Sequence, residues 1–395
     1  MSKISSFTYA CVVAWIGIAS SSAVAQYKAP TTAIRFRAAC DAGLRVTLAF
    51  TSDILLHRPV RLSAALQLDK RIVDKELRVA TALSKVFHRV TPLIKRADLA
   101  YANLEGVLAR SCSKARIREK GYSTCKVQRI DPLTLYDEDV YTTFPRFNYP
   151  PSTARMLKMV GFDVIGLANN HMTDRYSNGI DMTLDELAKV GMPTVGAVRL
   201  AEMKNGEIPP AKRYLVVRKK GIGFGFLAYT YGTNSPDRTN QVMSIAACLH
   251  GNCESVMQDV KRLRARPDVD VVIVGLHWGT QHKEIPTGRQ VQVGRMLIEA
   301  GADLVVGGHP HRLQPWEMRK TRDGREGLIM YSLGDLSGSW TDWFNRVGVI
   351  VYVGFTKSSN GAVRINGARV LPLYHYKTIY PPTKRPLYQT FPLSA

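Results

Sequence analysis

Six times along the chain, an apolar run rich in β-branched residues stops abruptly at a cluster of polar residues. Leu44 to Phe50 stops at Thr51-Ser52-Asp53, and Ala97 to Ala102 at Asn103-Leu104-Glu105. Phe162 to Ala168 stops at Asn169-Asn170-His171, and Val269 to Leu276 at His277-Trp278-Gly279. Ala302 to Val306 stops at Gly307-Gly308-His309-Pro310-His311, and Leu328 to Tyr331 at Ser332-Leu333-Gly334-Asp335. Runs without polar alternation are strands buried on both faces, the usual state of parallel strands covered by helices. Helical spacing lies between them. Leu83, Val86, Phe87, Val90 and Ile94 share one face, with Pro92 placed to kink or split that helix. Leu184, Leu187, Ala188 and Gly191 repeat the pattern, as do Val293, Leu297 and Ala300, with Gly301 as a C-terminal stop. Strands alternating with helices predict an α/β fold, a layered β-sheet core flanked by helices.

The rest of the chain departs from this rhythm. Arg110 to Asn148 is basic, contains Cys112 and Cys125, and reads as a long excursion over the fold. Tyr214 to Tyr231 reads as a hairpin turning at Lys219-Lys220-Gly221. Its Gly221-x-Gly223-x-Gly225 spacing opens no helix, so it is strand rather than nucleotide loop. Val347 to Phe355 and Ala362 to Tyr376 are closing strands, and Pro381 to Ala395 an extended tail. The expected organisation is a signal peptide over residues 1–25 and one domain over 43–355, interrupted by the 110–148 insertion. A closing strand and tail over 356–395 complete it.

The N-terminal segment supports that first boundary. Lys3 precedes an uncharged run from Tyr9 to Ala19, and Ala23-Val24-Ala25 has the small-x-small form of a processing site, so cleavage is predicted after Ala25. The alternative, an uncleaved anchor, requires the run to span a bilayer, for which it is slightly short. No later run is long and apolar enough to cross a membrane. Export to the periplasm or beyond would expose Cys40, Cys112, Cys125, Cys248 and Cys253 to oxidation. Cys112/Cys125 and Cys248/Cys253 are the natural local pairs, leaving Cys40 over, although spacing does not determine connectivity. The net charge of +22 attracts polyanions. For an exported chain these are anionic glycans, acidic polymers or phospholipid head groups, and a generally basic solvated surface explains the charge equally well. No nucleic-acid module accompanies the charge.

Ligands of open α/β sheets bind beyond the carboxyl ends of the strands. Asp53, Glu105, Asn170, His277, His309 and His311 all fall there. A single strand-end His or Asn is usually structural or a turn former; residues of this kind on five successive runs point to a metal centre. Carboxylate, carboxamide and imidazole together suit Mn, Fe or Zn. Two residues apart on an extended segment, His309 and His311 would address one cavity.

The segments SDILLHR, ADLAYANLEGVL, GFDVIGLANNHMTD, HWGTQ, GADLVVGGHPHRLQPWE and YSLGD, in this order, resemble the poly-gamma-glutamate capsule biosynthesis (CapA) family, a branch of the calcineurin-like metallophosphoesterase superfamily. The resemblance implies an α/β/β/α architecture and one or two divalent ions. It implies Asp53, Asn170, His277, His309 and His311 as ligands, Glu105 as their bridge, and His171 as the group that contacts or protonates the leaving side. Asn103, Asn169, Asp174, Arg312 and Asp335 become candidates to support the ligands or hold substrate, and Arg58, Arg175 and Lys283 to hold an anion. Two departures stand out. Leu55 occupies the place of the superfamily's Asp-x-His histidine, with His57 two residues too late, so the Asp53 ion has one ligand fewer than its neighbour. Asp335 replaces the usual Asn and is placed to orient a ligand histidine or to face solvent.

The expected function is that of an exported, metal-dependent hydrolase-like protein. It would serve synthesis or processing of capsule or another anionic exopolymer such as poly-gamma-glutamate, by water attack on a phosphoester or, second, an amide. Capsule-export machinery is the expected macromolecular partner. Two alternatives stay open: a non-catalytic polymer-binding or export component, and a generic phosphodiesterase.

Overall fold

The doubly buried runs become the centres of two sheets. A computed structural model of the chain describes residues 36, 42–110, 140–380 and 384–393. The segment 1–25, Cys40, Cys112, Cys125 and most of the 110–148 insertion lie outside the described residues. The first sheet contains β1 (Leu44–Ile54), β2 (Leu99–Leu104), β3 (Val164–Gly166) and β4 (Thr194–Val195). The second is built from β5 (Leu215–Lys219), β6 (Ile222–Thr230), β7 (Val271–His277), β8 (Leu304–Gly308), β9 (Trp316–Lys320) and β10 (Glu326–Met330). The chain then returns to the first sheet with β11 (Asp335–Ser337), β12 (Val347–Lys357), β13 (Val363–Tyr380) and β14 (Arg385–Pro392).

The order of the first sheet is β14-β13-β12-β1-β2-β3-β4, with β11 paired to the end of β1; that of the second is β5-β6-β7-β8-β10-β9. β1 to β4 run parallel, as do β6, β7, β8 and β10. Their carboxyl ends therefore collect at one edge. Every residue of β2, β3, β6, β7 and β8 is buried, the burial of strands covered on both faces.

The sheets face each other through aromatic side chains. Tyr101 on β2 stacks on Phe226 of β6 at 6.0 Å between ring centroids, and Phe224 meets Phe355 of β12 edge-on at 5.5 Å. Burial of each such ring contributes about 1.5–3 kcal/mol. The Tyr101 hydroxyl fits only because Gly166 and Gly275 lack side chains: a Cβ at either would collide with it. Helices Lys75–Ser84, Ser152–Val160 and Tyr176–Lys189 pack Val79, Leu83, Leu157 and Ile180 into the core of the first sheet. Helices Glu254–Arg264 and Gly288–Ala300 pack Val260, Leu263, Val293 and Leu297 against the second. The layers are thus α/β/β/α. Among the described residues no helix is long and apolar enough to cross a membrane.

Local signals explain the element ends. Asp74 accepts from Leu77 N and caps its helix. A Thr287/Gln290 capping box opens Gly288–Ala300, and Gly301 closes it at φ 129°. Pro92 does split its helix: a 3₁₀ turn at Lys85–Phe87 separates Lys75–Ser84 from the single turn Thr91–Ile94. The β5–β6 hairpin turns on Lys220 and Gly221, both at positive φ, as a two-residue type I′ turn requires. The extended tail needs correction: Arg385–Pro392 is an edge strand antiparallel to β13. Pro386 and Pro392 obscured it, but an edge strand tolerates proline at its ends.

Candidate metal centre

The site is assembled where the parallel strands stop. Asp53, near the end of β1, sits in register with Asn103 on β2 and with Asp335 on β11. Glu105 follows β2 directly, and the Asn169-Asn170-His171 turn follows β3. His277 ends β7, paired with Gly308 of β8. His309 and His311 come next, but not on an extended segment as their spacing suggested. Both adopt positive φ, 93° and 55°, around Pro310. A left-handed residue other than glycine costs about 1–2 kcal/mol. The tight turn is what lets both rings reach the same cavity.

All six candidate ligands are buried together. His277 Nε2 lies 2.8 Å from Asn170 Oδ1, 3.1 Å from His309 Nδ1 and 3.6 Å from Glu105 Oε1. His311 Nε2 lies 4.0 Å from the same Glu105 oxygen, and His311 Nδ1 is 3.9 Å from Asp53 Oδ2. Glu105, His277 and His309 form one group whose donor atoms can meet on a single ion. Asp53, His311 and Asp335 form a second.

The best evidence that cations belong here is Glu105. Both carboxylate oxygens are buried and neither has a hydrogen-bond partner, a state that costs several kcal/mol for an ionised group. Burial pushes its pKa well above the usual carboxylate range, and Asp53, Asp335 and Asp174 push the same way against His311. Burial works against a charged His311, yet the Asp335, Glu105 and Asp53 carboxylates outweigh it and raise its pKa to about 10. Burial pushes His309 down, helped by His277 and His311, so it is neutral and has a lone pair for a metal. The donor set is rich in oxygen and imidazole and contains no thiolate, which fits a divalent ion such as Mn, Fe or Zn.

Around these groups the polar contacts are specific. Asn103 Nδ2 donates to Asp53 Oδ1 at 2.7 Å and approaches His277 Nδ1 at 3.4 Å. Asn169 donates to Asn103 Oδ1 and to the Leu104 carbonyl and accepts from His171 N, fixing the turn. His171 Nδ1 lies 2.6 Å from Asp174 Oδ2, while its Nε2 meets Asn234 Nδ2 at 3.2 Å and lies 3.9 Å from Glu105 Oε1. Asp335 contacts His311 Nδ1 at 2.9 Å and accepts from Trp340 Nε1 at 2.6 Å.

The expected anion-holding cations are mostly employed elsewhere. Arg175 is buried and donates to the Asp174 carbonyl and to Thr142. Arg312 pairs with Glu284 and Asp342 and donates to Asn345. Arg58 and Lys283 are exposed. Leu55 is buried in the core. His57 accepts from Ser339 N through Nδ1 and packs edge-on against Trp340; burial, then the positive potential of His311 and Arg61, pushes its pKa to about 3. Cys248 and Cys253 are disulfide-bonded.

Sequence reasoning missed Asn234, Trp340 and Tyr231, whose ring centroid lies 4.5 Å from that of His309. They lie in irregular segments with no periodicity to mark them; the Asn-rich polar clusters were the only signal nearby.

Residues 47–338 match the family described as Bacterial capsule synthesis protein PGA_cap. The chain is 25% identical over 307 residues to Capsule biosynthesis protein CapA of Bacillus anthracis, covering 75% of this chain and 61% of that one. It is 30% identical over 192 residues to PGA biosynthesis protein CapA of Bacillus subtilis (strain 168), covering 48% and 46%. The matched regions thus span less than two thirds of these relatives' own lengths. Among solved structures, the chain is similar to TT1561 of Thermus thermophilus, covering 78% of this chain and 94% of that one at 11% identity, with a TM-score of 0.35.

Proposed function

Because this chain belongs to the Bacterial capsule synthesis protein PGA_cap family, we propose that it is an exported, metal-dependent hydrolase acting on an anionic polymer or a phosphoester during capsule synthesis or processing. The observation that carries this reading is the buried Glu105 carboxylate without hydrogen bonds amid imidazole, carboxamide and carboxylate donors. Asp53, Glu105, Asn170, His277, His309 and His311 would hold the ions. When bound, these would supply Lewis acidity, lowering the pKa of water and screening charge on the reacting group.

The chain's own contribution centres on His171. Asp174 faces Nδ1 at 2.6 Å and fixes the ring, so Nε2 is directed at the cavity. From there His171 takes or delivers one proton on the leaving side. Phe147 packs on His171 with ring centroids 4.3 Å apart, and Trp340 on His311 at 4.9 Å. A net charge of +22 favours approach of a polyanion. Export is supported by Lys3, the apolar run to Ala19 and the Ala23-Val24-Ala25 site.

One observation favours a second reading, a non-catalytic polymer-binding or export component: buried Leu55 stands where the superfamily's Asp-x-His motif has a histidine. Purified protein loaded with Mn²⁺, assayed on aryl phosphoesters and on poly-gamma-glutamate, separates the two. Turnover that falls about 10²–10⁴-fold in His171→Ala at unchanged metal content supports hydrolysis. Absent turnover supports binding alone, and turnover indifferent to that change removes His171 from the chemistry.

A further inference from the structure

The two clusters of donors are unequal on the candidate ligand set. Glu105, Asn170, His277 and His309 give one ion four groups, whereas Asp53, Glu105 and His311 give the other three. We infer that Asp335 is a direct ligand of the second ion and makes up the difference. The inference rests on the metal reading above and sharpens it.

Topology supplies the first argument. β11 pairs in parallel with the end of β1 and sets Asp335 in register with Asp53, so two buried carboxylates lie side by side at the cavity floor. Distance supplies the second. Metal–ligand bonds of about 2.1 Å separate neighbouring ligand atoms by about 3 Å and opposite ones by about 4.2 Å. Asp335 Oδ1 lies 2.9 Å from His311 Nδ1, and that nitrogen lies 3.9 Å from Asp53 Oδ2. Donor atoms of Asp53, His311 and Asp335 all lie within 4.8 Å of one another, close enough for a small closure to bring them onto one ion. Charge points the same way. Glu105, also buried and without hydrogen bonds, borders the same ring, 4.0 Å from Nε2. Three buried carboxylates converge where their neighbours include a histidine, an indole, an amide side chain and backbone. Cations compensate that charge better than neutral donors do. Trp340 orients the carboxylate, because its Nε1–H occupies Asp335 Oδ2 and leaves Oδ1 facing His311 Nδ1.

The competing arrangement keeps Asp335 outside the coordination sphere, accepting a hydrogen bond from His311 Nδ1 while Nε2 binds the ion. Anomalous diffraction from crystals soaked in Mn²⁺ decides between them, with elemental analysis of Asp335→Ala as the companion measurement. The expected result is an ion between Asp53, His311 and Asp335, with an Asp335 oxygen at about 2.1 Å. Asp335→Ala should lose that ion alone, its content falling from about two per chain to about one. Two ions with Asp335 beyond about 3 Å, or two ions retained in Asp335→Ala, would overturn the assignment and leave the metal centre standing. A single ion at the Glu105–His277–His309 group in the native protein would do the same. Absence of manganese from both groups would overturn the metal reading as well.

Discussion

Glu105 shows how much one residue can say. Its neighbours on β2, Tyr101 to Leu104, are a continuous buried strand, and position 105 is fully buried as well. It buries a carboxylate without a hydrogen bond instead. Such a group is tolerated when a cation meets it. Replacing both His277 and His309 with Ala should therefore strip the ion that Glu105 shares with them, read by elemental analysis of the purified protein. Full metal retention would defeat the assignment. Single residues are legible in the sequence where strands end and obscure elsewhere. Asp53, Asn170 and His277 were visible because a hydrophobic run stops at each. Asn234 and Trp340 were not, because their roles come from contacts across the cavity and not from a local pattern.

At the scale of elements, β8 is held close to β1 by what it lacks. A Cβ on Gly308 would collide with Ser52 Oγ and lie 2.7 Å from Asp53 Oδ1. Gly308→Ala should displace the Asp53 carboxylate, destabilising the protein by about 1–3 kcal/mol as overpacking does. Metal affinity should suffer more than the fold, a difference seen by comparing manganese titrations with urea unfolding. The last two strands carry a pH dependence. His375 on β13 is buried against Asp335 O and Thr390 of β14. Burial pushes its pKa from 6.5 to about 4, only partly offset by the Asp335 carbonyl. Between those values the unfolded chain binds the extra proton, so stability is present above about pH 6.5 and falls as pH drops towards 4. The loss amounts to about 3 kcal/mol. Urea unfolding at pH 7.5 and 4.5 should show this decrement shrinking in His375→Gln; an unchanged decrement would place it on other groups.

For the whole molecule, the two sheets meet through apolar and aromatic residues, while the cavity gathers acids and imidazoles from both sheets at one edge. Asp53, Glu105 and Asp335 come from the first sheet, and His277 leads in from the second. An ion binding there joins the layers and is absent from the unfolded chain, so it stabilises by mass action. At a hundredfold excess over its dissociation constant the gain is about 2.7 kcal/mol, or about 3 °C in Tm for a chain of this size. Thermal unfolding in EDTA and in excess Mn²⁺ should differ by that amount. No difference would mean that the edge holds no ion of consequence. The net charge of +22 acts on this scale too, as a long-range field and not as a contact.

The sequence by itself determined the buried strands, their polar ends and the α/β layering, because hydrophobic periodicity and burial on both faces are local properties that a run of residues states directly. It also marked most of the residues that surround the cavity. Only the tertiary structure decided how they meet. The left-handed turn at His309 and His311, the withdrawal of Arg175 into the interior, and the strand over Arg385–Pro392 depend on packing that no window of sequence contains. The placing of Asp335 beside Asp53 is the clearest case. It requires β11 to return from the far end of the chain and hydrogen-bond to β1, and that pairing is chosen by the core as a whole.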